Sequence, residues 1–460
     1  MSIFSSYSKK SIAIMLTIFL SGFGFFGLFV EQAHAADRIN VKDYGAKGDG
    51  RTDDTSAIQK ALNDGGAKKA TVYFPKGTYM VNVKSPLAVS SSIVGDGTSS
   101  VIKASTSTFG WELVRAAGSN FSISSLSLDG NMQVNRVLVI DSGSENVSVS
   151  NITAANATHS KQSSSDYYSG VLSGILVLGN TKNIEISNTE ISNIIALNPT
   201  SGSLIARGIY VTTAWGKKET VAANMTIASN YIHHIGPADD GDGIYYEDPN
   251  LDNGNGSNTR SIITNNRFDN NAKRAVKVYA QGLTVSGNQI TNSYLQNNYY
   301  KSGSDKGKLA PDMYSAISIY GSNNLVQNNT ISGTGSFYAA IEVGASQTVK
   351  DIEITGNKIT MGARSVQQGK TAIRLGNITS FKVESNVIEN GEKGIWTWQN
   401  ADKGTISKNI IKTTVGGGID LTSYLSQYVQ KNIVCSDNTI QAKMFTIQLS
   451  KKSNYNIELL

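Results

Sequence analysis

Apolar and polar residues alternate through most of this chain in short words, and one word returns with a fixed spelling. Ile227-Ala228-Ser229-Asn230-Tyr231-Ile232 is followed by Ile263-Thr264-Asn265-Asn266-Arg267-Phe268 and Val285-Ser286-Gly287-Asn288-Gln289-Ile290. The frame apolar-x-x-Asn-x-apolar comes back at Asn329, Asn357, Asn386, Asn409 and Asn438, with gaps of 22 to 41 residues between successive asparagines. A fixed word at variable spacing marks a solenoid whose loops differ in length. The words are short, β-branched and alternating, which predicts strands. An asparagine between two strands suits a left-handed bend, and stacked amides can bond from coil to coil. The pattern predicts an all-β fold: a right-handed parallel β-helix with an asparagine ladder.

A second word runs through the same region: Ser173-Gly174-Ile175-Leu176-Val177, Arg207-Gly208-Ile209-Tyr210-Val211, Asp242-Gly243-Ile244-Tyr245-Tyr246, Arg274-Ala275-Val276-Lys277-Val278 and onward to Gly417-Gly418-Ile419. It reads as one strand repeated in successive coils about 4.8 Å apart. With the Ile/Val positions inward, the outward residues fall into three columns. The first holds Arg207, Asp242, Arg274 and Ser315. The second holds Tyr210, Tyr245, Lys277, Ser318, Glu342 and Arg374. The third holds Thr212, Glu247, Tyr279 and Tyr320. A register slip of one residue would turn every one of these side chains over. Inserts at 156–172 and 291–311 fall just before such strands and would wall this face.

At the other end, Asp53 or Asp54 is placed to cap a helix beginning near Thr55, with Ile58, Ala61 and Leu62 on its apolar face. This helix is expected to cover the open end of the solenoid, where unpaired strand edges invite aggregation. The stretch Ile39-Asn40-Val41-Lys42-Asp43-Tyr44-Gly45-Ala46-Lys47-Gly48-Asp49-Gly50-Arg51-Thr52-Asp53-Asp54 resembles the N-terminal motif of the pectate-lyase-like β-helix superfamily. That group includes pectin and alginate lyases, polygalacturonases, mannuronan C5-epimerases and phage tailspikes. The resemblance implies the fold over about residues 39–445 and says little about the reaction.

Residues 1–35 read as a secretory signal peptide: Lys9 and Lys10, an uncharged apolar run from Ser11 to Val30, then Ala33-His34-Ala35. The run is also long enough for an uncleaved anchor. The expected mature protein is one β-helix domain, 36–460, secreted, extracellular and monomeric. The lone Cys435 excludes an internal disulfide and sits in an apolar slot of a strand word. The net charge of +6 permits an anionic polymer, and no basic run interleaved with aromatics suggests nucleic acid.

The outward columns carry the candidate chemistry. Hydrolysis uses two carboxyl groups about 5–9.5 Å apart. Asp242 and Glu247, five residues apart on one strand, would be separated by roughly 16 Å, and Glu342, three coils on, by roughly 14 Å from Asp242. Elimination from a uronic-acid polymer needs a cation for the carboxylate, a base for the C5 proton and an acid for the leaving oxygen. Arg274 and Arg207 would neutralise the carboxylate, Lys277 would be the base and Tyr245 or Tyr279 the acid. Asp242 is a further catalytic candidate; Tyr210, Glu247, Tyr279, Tyr320, Glu342 and Arg374 would bind substrate. Asp239, Asp240, Asp242 and Asp248 are hard oxygen ligands of the kind Ca²⁺ takes, and His234 is a candidate for proton transfer. Trp396 and Trp398 could stack on sugar rings.

Tyr245-Tyr246-Glu247-Asp248-Pro249-Asn250 is similar to the Tyr-Gly-x-Asp-Pro-His site word of mannuronan C5-epimerases, with Asn250 in the histidine position. Val276-Lys277-Val278 is similar to the catalytic-lysine strand of alginate lyases. The reading is an enzyme on an acidic extracellular polysaccharide, first a lyase of a pectate- or alginate-like polymer. A polygalacturonase-type hydrolase, an epimerase and a non-catalytic carbohydrate-binding protein are the alternatives.

Overall fold

In the computed structural model, strands repeat three to a coil and pair only with their counterparts in the neighbouring coils. The structure describes residues 38–158, 171–195, 205–236, 241–271, 273–292, 313–333, 337–345, 347–361, 371–413 and 415–460. The expected signal peptide, the wall-forming parts of both inserts, and Asp239 and Asp240 lie outside them.

Among the described residues three parallel sheets of 15, 14 and 13 strands run the length of the molecule, designated I, II and III. Each coil passes from III to I to II and returns to III, a right-handed parallel β-helix of the kind the chirality of parallel crossovers favours. Sheet III is made of the second word. Its central strands are β1 (Val171–Val177), β2 (Ile205–Val211), β3 (Asp242–Glu247), β4 (Arg274–Tyr279), β5 (Met313–Ile319), β6 (Phe337–Val343), β7 (Thr371–Leu375), β8 (Lys393–Thr397) and β9 (Gly417–Asp420). The inward column Ile175, Ile209, Ile244, Val276, Ile317, Ile341, Ile373, Ile395 and Ile419 is in register and fully buried. Each such side chain contributes about 1.5–3 kcal/mol of burial.

The asparagine ladder is present, between sheets I and II. The amide Nδ2 of Asn230 donates to Oδ1 of Asn266 at 2.9 Å, and the same bond repeats through Asn288, Asn329, Asn357, Asn386, Asn409 and Asn438 at 2.9–3.0 Å. Every Nδ2 also donates to a backbone carbonyl, such as Asn329 to Val285 at 2.9 Å. The bend itself is made one residue earlier than expected. Ser229, Asn265, Gly287, Asn328, Gly356, Ser385, Lys408 and Asp437 carry the positive φ, and the ladder asparagines do not. The left-handed residue turns the chain, which leaves the next side chain pointing inward to be stacked.

The helix α1 (Thr55–Lys68) buries Ile58, Ala61, Leu62 and Gly65 against the first strands. Asp53 accepts from the Thr55 N–H at 3.0 Å, whereas Asp54 accepts from Lys47 and Gly48 and holds the preceding loop. Cys435 is buried on Ile406 in the preceding coil, and burial pushes its thiol up to about 11, as expected of a core position.

Candidate functional site on sheet III

Strict alternation would put Arg207 on the same side as Ile209 and Val211, yet its guanidinium lies outside, over Tyr210. A small residue makes this geometry. A Cβ at Gly208 would come within 2.6 Å of the core side chain of Ile232 and 2.5 Å of the Gly243 carbonyl. Ala275, Ala316, Ala340 and Ala372 occupy the equivalent inward place in later strands. Two successive inward positions reset the phase, so residues three apart, Arg207 and Tyr210, share the outer face. The register is the expected one: Arg207 pairs with Asp242 and then Arg274, while Tyr210 pairs with Tyr245, Lys277, Ser318, Glu342 and Arg374 in turn.

These residues form two connected groups. In the first, the Tyr210 and Tyr245 rings stack at 5.5 Å and 10°. The Arg207 guanidinium lies 4.8 and 4.4 Å from the two ring centres, and the Lys277 ammonium 4.2 Å from that of Tyr245. Both phenols donate to the Glu247 carboxylate, Tyr245 at 2.9 Å, and Thr212 adds a third hydroxyl at 3.2 Å. Burial, then the Glu247 charge, pushes the Tyr245 hydroxyl well above its ordinary value. In the second group, Glu342 pairs with Arg374 and accepts from Tyr320 at 3.3 Å. Burial and Glu342 raise Tyr320 to about 12.

Asp242 is fully buried between two cations, 3.4 Å from Arg274 and 3.9 Å from Arg207. It therefore serves as their shared counter-ion. Arg274 also donates to Ser318 at 3.1 Å, and Ser318 bonds Ser315. Arg207 is 1 % exposed, so in this arrangement it supports the tyrosines from beneath and does not present itself to a polymer. The half-buried members are Glu247, Lys277 and Tyr279. Tyr279 is paired in register with Glu247 and donates to Asp252; burial and that carboxylate raise its hydroxyl.

A cleft of about 510 Å³ opens beside this first group, lined by Tyr210, Thr212, Trp215, Lys217, Glu247 and Pro249 among others. Trp215 and Lys217 escaped the sequence reading because they follow β2 in a loop, outside any repeating word. Asp252 escaped for the same reason.

Asp248 is also buried, and its two carboxylate oxygens accept the N–H groups of Asn250 (3.0 Å) and Ser257 (2.9 Å), which closes a turn. Among the described residues no group of three His, Cys, Asp or Glu side chains is placed to hold a metal ion. His233 and His234 are on sheet II, beside Glu190, and His234 has a left-handed backbone. They share no group with the sheet III tyrosines.

Comparison with known proteins agrees with this architecture. The family model described as "Rhamnogalacturonase A/epimerase, pectate lyase-like" matches residues 38–295, and one described as "Right handed beta helix region" matches 308–459. Among curated relatives, an Azotobacter vinelandii protein named alginate lyase 7 is 42 % identical over 112 residues, 20 % of this chain and 12 % of its own length. Mannuronan C5-epimerase AlgE3 from the same organism is 40 % identical over 110 residues, 20 % of this chain and 6 % of that protein. The chain thus spans about an eighth or less of those relatives. Among solved structures, PfbA, a surface adhesin of Streptococcus pneumoniae, has a TM-score of 0.61 at 19 % identity over 92 % of both chains. The catalytic unit of an α-1,3-glucanase from Streptomyces thermodiastaticus has 0.57 at 16 % identity, over 91 % of this chain and 71 % of that one. These structural likenesses share the fold. Among the described residues no helix is long and apolar enough to cross a membrane.

Proposed function

We propose that this chain, which belongs to the rhamnogalacturonase A/epimerase, pectate-lyase-like family, is a secreted enzyme that cleaves a uronic-acid polymer by β-elimination on the outer face of sheet III. The observation that carries the reading is the half-buried Lys277 lying 4.2 Å from the ring of Tyr245, whose hydroxyl donates to Glu247 on the cleft wall. In its neutral form the Lys277 amine takes the C5 proton. The electron pair left at C5 forms the C4–C5 double bond as the C4–O bond breaks. The departing oxygen then takes a proton from a phenol, Tyr279 being the more exposed and Tyr245 the one over whose ring the lysine lies. Arg274 and Arg207 are paired with Asp242 beside the tyrosines, and Lys217 adds an exposed cation in the cleft. The partial match to an alginate lyase supports this chemistry.

A hydrolase is the second reading, favoured by Glu247 being a carboxylate that lines the cleft beside Trp215. Incubation of the protein with pectate and with alginate, with and without Ca²⁺, separates the two. Rising ultraviolet absorbance from unsaturated ends supports elimination. New reducing ends without absorbance would replace it with hydrolysis.

A further inference from the structure

Four coils beyond Lys277, the same outward column reaches Trp396, through Ser318, Glu342 and Arg374. Trp396 begins a continuous aromatic row. Its ring lies 6.3 Å from Trp398, Trp398 lies 5.0 Å from Tyr424 one coil on, and Tyr424 lies 5.6 Å from Tyr428. The rings of consecutive pairs are tilted by only 33–48°, so the row presents a nearly continuous slope. Tyr424 is 49 % exposed, and Trp396 and Trp398 are partly exposed. Cations hold two of the rings: Arg374 at 4.6 Å from Trp398 and Lys393 at 3.5 Å from Trp396. The Trp398 indole Nε1–H is buried and has no hydrogen-bond partner among the described residues.

We infer that this row is a second carbohydrate-binding platform, which grips the distal part of the same uronic-acid polymer that the Lys277 cluster cuts. The inference rests on the proposed substrate class. Aromatic faces take the C–H faces of pyranose rings, and the two cations, themselves paired with Glu342 and Asp420, hold the indoles in place. Platform and cleft share one face of one sheet. The four intervening coil spacings amount to roughly 19 Å, which a mono- or disaccharide cannot bridge. The platform therefore makes the enzyme select long chains over short ones.

The test uses the full protein with Tyr424→Ala, Trp398→Phe and Lys277→Ala variants, titrated with uronic-acid trimers and octamers by calorimetry and tryptophan fluorescence, with lyase turnover measured alongside. Wild type is expected to bind octamer at least about tenfold more tightly than trimer. Tyr424→Ala should reduce that ratio towards one, Trp398→Phe should reduce it partly, and Lys277→Ala should keep it while losing turnover. Tyr424 is half exposed, so folding is expected to survive, and Tyr424→Phe should restore the ratio. A ratio that Tyr424→Ala leaves intact would overturn the platform. So would a wild type with no length preference, or with no binding of either oligomer. Octamer binding that depends on Tyr424 without any wild-type turnover would retain the platform and remove the lyase reading.

Discussion

The interior ladder allows a sharp test of what holds the coils in register. Asn329 sits in its middle, fully buried. Its Oδ1 accepts from the backbone N–H of Asn288 at 3.0 Å and from Asn288 Nδ2 at 2.9 Å; its Nδ2 donates to Val285 and to Asn357, both at 2.9 Å. Asn329→Ala deletes all four bonds. The Asn288 backbone N–H loses its acceptor, one proton of the Asn288 amide loses another, and the Val285 carbonyl loses a donor. Each orphaned buried group costs about 1–3 kcal/mol, and relaxation recovers part, which gives a loss of about 3–5 kcal/mol. Asn438 ends the ladder and is only half-buried, so water can replace its bonds; there the loss should be about 1 kcal/mol. Because coils contact only their neighbours, damage should be felt first locally. Urea titration gives the size, and hydrogen exchange read by mass spectrometry gives the place, with protection falling around residues 285–357. Equal urea midpoints for Asn329→Ala and Asn438→Ala, or for Asn329→Ala and wild type, would refute the account.

Lys277→Ala should lower lyase turnover roughly 100- to 10,000-fold with the circular dichroism spectrum unchanged. Lys277→Arg should not rescue it, since a guanidinium does not deprotonate. The ammonium must lose its proton to act, so turnover should rise as pH rises. Asp242→Asn removes the counter-ion of two buried arginines and should cost about 3 kcal/mol in urea unfolding. The raised hydroxyls of Tyr245, Tyr246, Tyr79 and Tyr320 bind protons more tightly folded than unfolded. Stability is therefore intact below about pH 10, where the unfolded phenols begin to ionise, and falls as pH rises further. Tyr245→Phe should flatten that alkaline decline in a urea-midpoint profile.

The repeat made the coils legible, because a period-2 strand word and an invariant asparagine are imposed by stacking itself. Even the outward columns could be read, since Ile209, Ile244 and Val276 mark the same phase in each strand. The bend was misplaced by one residue because Ser229, Asn265, Gly287 and Lys408 share a backbone conformation and no side-chain chemistry. What a column cannot reveal is how its members are used. Asp242 reads like a catalytic carboxylate until two arginines are found on it, and Arg207 reads like a substrate ligand until its burial is seen. Trp215, Lys217 and Asp252 come from loops that obey no repeat, and nothing in their spacing announces the cleft.

The small residues at 208, 243, 275, 316, 340 and 372 separate two kinds of inheritance. The isoleucine or valine after each one answers to the core, and the residues on either side of that pair answer to whatever lies outside. A substitution at Tyr210, Lys277 or Glu342 can change the chemistry of the face and leave the inward packing intact. A β-helix built this way keeps a stable frame while its specificity drifts, so close kin in architecture can differ widely in the sugar they handle.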